Sequence, residues 1–101
     1  MNISVIVPVL NEEKTITATL EALLALAPYE IIIVDGGSAD RTRELAAPFQ
    51  VKVISSERGR GRQMNRGAGE ASGDVLLFLH ADTRLPSTAL NDIAAALNDR
   101  R

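Results

Sequence analysis

The feature of this sequence that most restricts its fold is a run of β-branched residues without polar interruption, Ile31-Ile32-Ile33-Val34. A strand with one face in water alternates apolar and polar residues, whereas a strand that is buried on both faces is apolar throughout. The segment from Glu30 to Asp35 is therefore predicted to be a strand of a parallel sheet, with both of its faces covered.

Three further segments have the composition of strands, and helix-like segments separate them along the chain. They run from Ile3 to Val9, from Val51 to Ser55 and from Val75 to His80, and the segment from Val51 is the weakest of the four. Four β-α units in a row, joined by right-handed crossovers, predict an α/β fold. Its sheet is Rossmann-like and mostly parallel, with helices on both faces.

Residues that favour helix ends set the expected helix boundaries. Asn11 is predicted to be the N-cap of the first helix, and Ser38 or Asp40 is predicted to cap a short second helix. A third helix is expected over residues 62–72, with Gly73 at its C-terminal cap.

Composition limits the domain and its partners. The chain of 101 residues suffices for one domain with one modest core, so residues 1–101 are interpreted as a single domain. Since only 3% of the residues are aromatic and the formal net charge is -2, a nucleic-acid partner is not expected. The absence of cysteine excludes disulfides and thiolate metal sites.

Apolar stretches in this sequence are far shorter than the roughly 20 residues that cross a bilayer, and no signal-peptide pattern opens the chain. We therefore expect a cytoplasmic domain without a transmembrane segment. Any contact with the inner face of the membrane is expected to come from a substrate, a partner or a further segment. The oligomeric state is left open.

Polar residues gather after the predicted strands, at the carboxyl ends where open α/β sheets bind ligands. They lie in four segments, namely Pro8 to Glu12, Asp35 to Ser38, Arg58 to Arg62 and His80 to Thr83. Because the carboxyl ends of parallel strands share one edge of the sheet, the carboxylates of Asp35 and Asp82 and three arginines are expected to converge. Such a set of side chains suits a metal ion and a diphosphate.

Each segment also has a simpler interpretation. Asp35-Gly36-Gly37 is a common turn sequence, and the Arg-Gly run can be a solvated loop or a weak RNA-binding segment. His80 can be an ordinary histidine at a strand end, and Asp82 can be a cap. Met64 breaks a Gly-x-Gly-x-x-Gly motif, and the sequence has no Gly-Lys-Ser/Thr. A flavodoxin-like receiver or phosphatase is compatible with the predicted topology, but no motif in the sequence supports it.

Taken in order, four segments resemble the GT-A-fold family 2 glycosyltransferases, and the resemblance spans nearly the whole chain. The segments are 4–12 (SVIVPVLNE), 33–42 (IVDGGSADRT), 59–67 (GRGRQMNRG) and 73–83 (GDVLLFLHADT). Within the family, the chain resembles a bacterial subgroup called radical-SAM/selenodomain-associated transferases. These proteins have Leu-His-Ala-Asp in place of Leu-Asp-x-Asp, as this chain has at residues 79–82.

The resemblance implies an inverting, metal-assisted transfer of sugar from a nucleotide-diphosphate sugar, above all a UDP-sugar, to an unknown acceptor. It implies a nucleotide-sugar pocket formed by residues from all four segments: Pro8, Val9, Glu12, Asp35, Arg60, Arg62 and Ala81. Asp35 would accept a hydrogen bond from the base. Asp82 would hold Mg²⁺ or Mn²⁺ against the donor diphosphate, with His80 as a second ligand.

Two departures from the family pattern matter. His80 stands where the family has the first Asp of Asp-x-Asp, and imidazole suits Mn²⁺ better than Mg²⁺. The chain is also much shorter than a family 2 catalytic domain, in which the acceptor site and a later carboxylate that acts as catalytic base follow this region. We therefore expect a domain truncated at its C-terminus, with the catalytic base unassigned, that binds nucleotide weakly and transfers nothing by itself.

Three other functions compete with a transferase. The first is a non-catalytic nucleotide-binding module, which the missing half makes a serious alternative. The second is a nucleotidyltransferase that makes sugar nucleotides, but the segment from Pro8 to Glu12 lacks the glycines of the loop that opens such enzymes. The third is an interaction protein on the same scaffold, which would leave the clustering of Asp35, Asp82 and the arginines unexplained.

Overall fold

The computed structural model describes residues 1–98 and contains the four β-α units that the sequence predicts. Their bounds are β1 (Ile3–Val9), α1 (Ile16–Ala25), β2 (Glu30–Asp35), α2 (Thr42–Ala46), β3 (Lys52–Ser55), α3 (Arg60–Glu70), β4 (Val75–Phe78) and α4 (Ala89–Asn98). All four strands are parallel and lie in the order β3-β2-β1-β4. The predicted α/β fold is therefore confirmed, with β1 and β2 as interior strands.

Helices cover both faces of the sheet, as predicted. The apolar run 31–34 in β2 is at most 3% exposed, because helices pack against it from both sides. On one face, Val5 packs with Leu20 of α1, together with residues of α2 and α4. On the other face, Ile6 and Val34 pack against α3.

Helix α3 approaches the sheet closely at Gly67. A Cβ atom at this position would lie 2.9 Å from Cγ2 of Val34 and still closer to Cγ2 of Ile6. Glycine lowers the intrinsic helix propensity of α3, but its missing side chain lets the helix backbone lie directly on β1 and β2. The close approach brings the first turns of α3 beside the carboxyl ends of these strands.

Several expected boundaries differ from those observed. Asn11 is not the N-cap of α1, because its φ is +53° and the helix begins at Ile16. Helix α3 begins at Arg60, two residues earlier than predicted. Gly73 lies beyond the end of this helix, and its N–H donates a hydrogen bond to Oγ of Ser4 at 2.9 Å. No helix within residues 1–98 combines the length and apolar composition that crossing a membrane requires.

The fourth strand is shorter than predicted and ends at Phe78. Leu79 still donates its N–H to the carbonyl oxygen of Ile6 at 3.0 Å, so the chain stays beside β1 for one more residue. His80 therefore belongs to the loop that follows the strand. Within residues 1–98, β4 has a single neighbouring strand, β1, so this loop lies at the edge of the sheet.

Candidate functional site

A cavity of about 260 Å³ opens at the carboxyl ends of β1 and β4. The strand order changes direction between these two strands, which is where open α/β sheets bind their ligands. The cavity is lined by Pro8, Val9, Leu10, Glu12, Arg60, Gln63, His80, Ala81 and Asp82. Seven of these nine residues are ones that the sequence analysis predicted, while Leu10 and Gln63 are additional.

Two of the predicted residues, Asp35 and Arg62, do not line this cavity. Asp35 ends β2 and is 1% exposed. Its Oδ2 accepts the N–H groups of Gly37 at 3.2 Å and Ser38 at 3.0 Å, and its Oδ1 accepts the hydroxyl of Ser38. The carboxylate therefore shapes the loop after β2 from within, as Asp commonly does in turns.

The predicted arginines separate at the start of α3. Arg60 lines the cavity. Arg62 lines a neighbouring open groove, where its guanidinium forms an ion pair with Glu57 at 2.5 Å. Arg58 lines neither of these two sites. Of the three arginines that were expected to converge, Arg60 is thus the one that the fold brings to the cavity.

The loops after β1 and β2 are bound to each other by side chains. Asn11 accepts the N–H of Ala39 through Oδ1 at 2.8 Å and donates its own N–H to Oγ of Ser38 at 2.9 Å. Glu12 donates its N–H to Oγ1 of Thr42 at 2.8 Å. These contacts explain why Asn11 does not cap α1, and they hold Glu12 at the rim of the cavity.

Asp40 completes this junction. Ser38 or Asp40 was expected to cap α2, but the N-cap of this helix is Arg41. The carboxylate of Asp40 accepts the N–H of Thr42 at 2.9 Å and the N–H of Glu13 at 3.2 Å. Removal from water raises the pKa of Asp40, but hydrogen bonds from the hydroxyl and N–H of Thr42 and from the N–H of Glu13 outweigh this effect. The pKa of Asp40 therefore lies below its ordinary value. The junction therefore favours the ionised carboxylate.

The loop after β4 is held by contacts of its backbone, whereas the loops after β1 and β2 are held by side chains. Thr83 donates its N–H to the carbonyl oxygen of His80 at 3.0 Å, which closes a turn. Ala81 in this turn is 5% exposed, and its carbonyl oxygen accepts the hydroxyl of the buried Thr19 on α1. The side chains of His80 and Asp82, on either side of Ala81, are exposed and form no salt bridge within residues 1–98.

Comparison with protein families gives a match to glycosyl transferase family 2 over residues 4–101. The chain belongs to this family. The dolichol-phosphate mannosyltransferase of Pyrococcus furiosus is 34% identical, over 98% of this chain and 31% of that protein. The glucosyl-3-phosphoglycerate synthase of Mycobacterium tuberculosis is 33% identical, over 79% of this chain and 28% of that protein. The chain spans about a third of the length of these relatives.

Solved structures of the family share the fold. The glucosyl-3-phosphoglycerate synthase of Mycobacterium tuberculosis with Mn²⁺, UDP and glucosyl-3-phosphoglycerate has a TM-score of 0.79 at 27% identity, over 95% of this chain and 39% of that chain. The same enzyme with Mg²⁺ and UDP has a TM-score of 0.76 at 28% identity, with the same coverage. The GT-A-type sheet is therefore shown, and structural relatives of this family 2 chain bind UDP together with a divalent cation.

The side chains at the cavity can be tested against such a cation. Within residues 1–98, no three His, Asp or Glu side chains form a cluster that could hold a metal ion by themselves. His80 and Asp82 line the cavity beside Arg60. One carboxylate and one imidazole fit an ion whose remaining ligands are phosphate oxygens and water. The residues therefore fit a cation that binds together with a diphosphate.

Sequence analysis missed two polar residues that hold this family 2 site together, Gln63 and Thr19. Both are buried, at 5% and 1% exposure, and both hydrogen-bond to backbone carbonyls at the edge of the cavity. The available signal was their position, because each lies on the face of its helix that packs against the sheet. A polar residue on such a face needs a hydrogen-bond partner, and that partner is often a backbone group.

Proposed function

We propose that this chain is the nucleotide-sugar-binding half of an inverting, metal-assisted glycosyltransferase that uses a nucleotide-diphosphate sugar, above all a UDP-sugar. The observation that carries the proposal is the presence of Arg60, His80 and Asp82 around one cavity at the switch point of a family 2 sheet. The complexes of related structures with UDP and Mn²⁺ support this choice of donor. The acceptor is left open.

In this proposal the nucleoside lies against the loop after β1, where Pro8, Val9 and Glu12 form a wall of the cavity. Asp35 is proposed to accept a hydrogen bond from the base. Among residues 1–98, the hydroxyl of Ser38 is the only donor to its Oδ1, and a carboxylate oxygen has a second lone pair with which it can accept an N–H donor. Arg62 is proposed to contribute positive charge from the adjacent groove.

The diphosphate is proposed to lie between Arg60 and the turn after β4. Negative charge grows on the diphosphate as the bond to the sugar breaks, and the guanidinium of Arg60 can donate hydrogen bonds to it. Asp82 and His80 would hold Mg²⁺ or Mn²⁺, which when bound supplies Lewis-acid stabilisation of the leaving group. Ala81, which lies between them in the sequence, is buried.

A narrower assignment within the family rests on the loop after β4. We propose, from the order Leu79-His80-Ala81-Asp82, that the chain falls in the bacterial subgroup of radical-SAM/selenodomain-associated transferases. In this proposal the imidazole replaces a carboxylate ligand, and the site prefers Mn²⁺ to Mg²⁺. Titration of UDP into the chain with MgCl₂ and, separately, with MnCl₂ tests that preference.

Calorimetric titration of UDP into the chain, with and without MnCl₂, tests the proposed site. We expect Mn²⁺ to tighten binding about tenfold, equivalent to about 1.4 kcal/mol, and Asp82→Asn to abolish this increase. Glu21→Gln is the matched control, because Glu21 is an exposed carboxylate on α1 outside the cavity lining. Equal effects of the two substitutions, or no binding of UDP, would contradict the proposal.

Catalysis by residues 1–101 alone is a separate question, because the chain spans about a third of the length of its relatives. We propose that this segment binds nucleotide without transferring sugar, since Glu12 and Asp82 are the only carboxylates among residues 1–98 that line the cavity and both are placed on the donor side. Release of UDP from UDP-glucose should therefore stay at the uncatalysed rate. Sustained turnover by this chain would overturn the binding-only assignment.

A further inference from the structure

The side chain of Gln63 is a buried amide that joins three backbone segments at the floor of the cavity. Its Nε2 donates one hydrogen bond to the carbonyl oxygen of Val9 and one to that of Val34, both at 2.9 Å. Its Oε1 accepts the N–H of Gly59 at 3.3 Å. Both amide hydrogens are thus used at the ends of the two interior strands, and the amide oxygen is used at the residue before α3.

Arg60 follows Gly59 directly, so the bonds of Gln63 link the helical turn that carries Arg60 to the wall that Val9 forms. We propose that Gln63 is a positioning residue, which holds the guanidinium of Arg60 at the distance from the loop after β1 that a diphosphate requires. The inference rests on the proposed function, since it concerns the same cavity. It adds a residue to which the mechanism above gives no role.

The packing of Gly36 supports this inference independently. A Cβ atom at Gly36 would lie 2.8 Å from both Cδ and Oε1 of Gln63, so the loop after β2 is shaped around the amide. Gly36 also donates its N–H to the carbonyl oxygen of Val9 at 3.0 Å, which therefore accepts two hydrogen bonds. Gly36 does not line the cavity itself, so Gly36→Ala is expected to displace the side chain of Gln63 without replacing any residue of the cavity lining.

Hydrogen exchange measured by NMR tests the positioning directly and needs no ligand. We expect the side-chain NH₂ protons of Gln63 to exchange about a hundredfold more slowly than those of the exposed Gln50. Gln63→Met, which has a similar size and no amide, should speed exchange at the N–H of Gly59. Fast exchange of the Gln63 side chain in the wild-type chain would overturn the inference.

Titration of UDP in the presence of MnCl₂ tests the link to Arg60. We expect Gln63→Met and Gly36→Ala each to weaken binding about tenfold in the wild-type background and by less than about twofold in the Arg60→Ala background. Gly36→Ala should also be nearly neutral when combined with Gln63→Ala, which leaves room for the added methyl group. Circular dichroism checks that each variant is folded.

The outcomes separate this inference from the proposed function. If Gln63→Met weakens UDP binding equally in the wild-type and Arg60→Ala backgrounds, Gln63 only stabilises the fold, and its role in positioning is refuted. If the wild-type chain binds no UDP, the proposed function fails. The exchange rates of the Gln63 side chain and the Gly59 N–H then still decide whether the amide fixes this turn.

Discussion

Asp35 at the end of β2 and Asp82 in the loop after β4 are the two carboxylates that the sequence placed at one edge of the sheet, and their surroundings differ. Asp35 is buried and accepts two N–H groups and a hydroxyl from its own loop. Asp82 is exposed at the cavity, and its loop is instead anchored through backbone, by the hydroxyl of Thr19 on the carbonyl of Ala81. The carboxylate of Asp35 is thus hydrogen-bonded within the loop that follows it, whereas that of Asp82 is exposed beside the cavity.

Strand order is the cause of this difference. β2 lies between β1 and β3, and Asp35 at its end is buried, so that its carboxylate needs hydrogen-bond donors from the protein. Within residues 1–98, β4 has one neighbouring strand, and the loop after it lies beside the open cavity. The comparison teaches that two aspartates at the same edge of a sheet differ in exposure according to the position of their strands in the sheet.

The largest expected difference between Asp35 and Asp82 is in their contribution to the free energy of unfolding. Asp35→Ala should lower the free energy of unfolding by about 2–4 kcal/mol, because the buried carboxylate and its hydrogen bonds from Gly37 and Ser38 are all lost. Asp82→Ala should change it by no more than about 0.5 kcal/mol. Urea unfolding followed by circular dichroism measures both values. Similar losses in the two variants would mean that both carboxylates are structural.

A smaller effect is expected where the loop after β4 is anchored. Thr19→Val keeps the shape of the side chain but leaves the carbonyl of Ala81 without its donor, which should cost about 1–2 kcal/mol. It should also speed hydrogen exchange at the N–H of Thr83, which closes the turn. Thr17→Val on the exposed side of α1 is the matched control. If exchange at Thr83 is equal in both variants, the turn does not depend on Thr19.

The smallest effect concerns pH at the junction of the loops after β1 and β2. The folded pKa of Asp40 lies below its ordinary value near 3.8, so its hydrogen bonds stabilise the native state above that pH. This contribution is lost as the pH falls through the folded pKa. We expect protection of the N–H of Thr42 to persist at pH 3.8 and to decline below it, as measured by NMR. Asp40→Asn should remove this pH dependence, and an unchanged profile would refute it.

Much of the fold follows from local sequence. β1 and β2 have the bounds that their apolar runs predict, because burial on both faces leaves a direct record in composition. Helix starts were less predictable, since Asn11 and Asp40 have the same side-chain chemistry in a cap as in a contact between loops. Asn11 was expected to cap α1 and binds the loop at Ala39 instead.

The sequence predicted the location of the candidate site but did not predict all of the residues that form it. Parallel strands bring their carboxyl ends together, so the cavity contains most of the residues that the motifs named. Gln63 was missed because its importance comes from the carbonyls of Val9 and Val34, which are distant in sequence. Hydrogen bonds to backbone leave no pattern in the side chains of the acceptors.

By itself, the sequence determined the class of fold, the family, and the edge of the sheet at which the site lies. Only the tertiary structure decided that Asp35 is buried and Asp82 exposed, and that Arg60 rather than Arg62 lines the cavity. Asp35 ends an apolar strand and Asp82 follows one, and their side chains are chemically identical. Whether each side chain is buried or exposed depends on which strands lie beside its own strand, and those strands come together only when the chain folds.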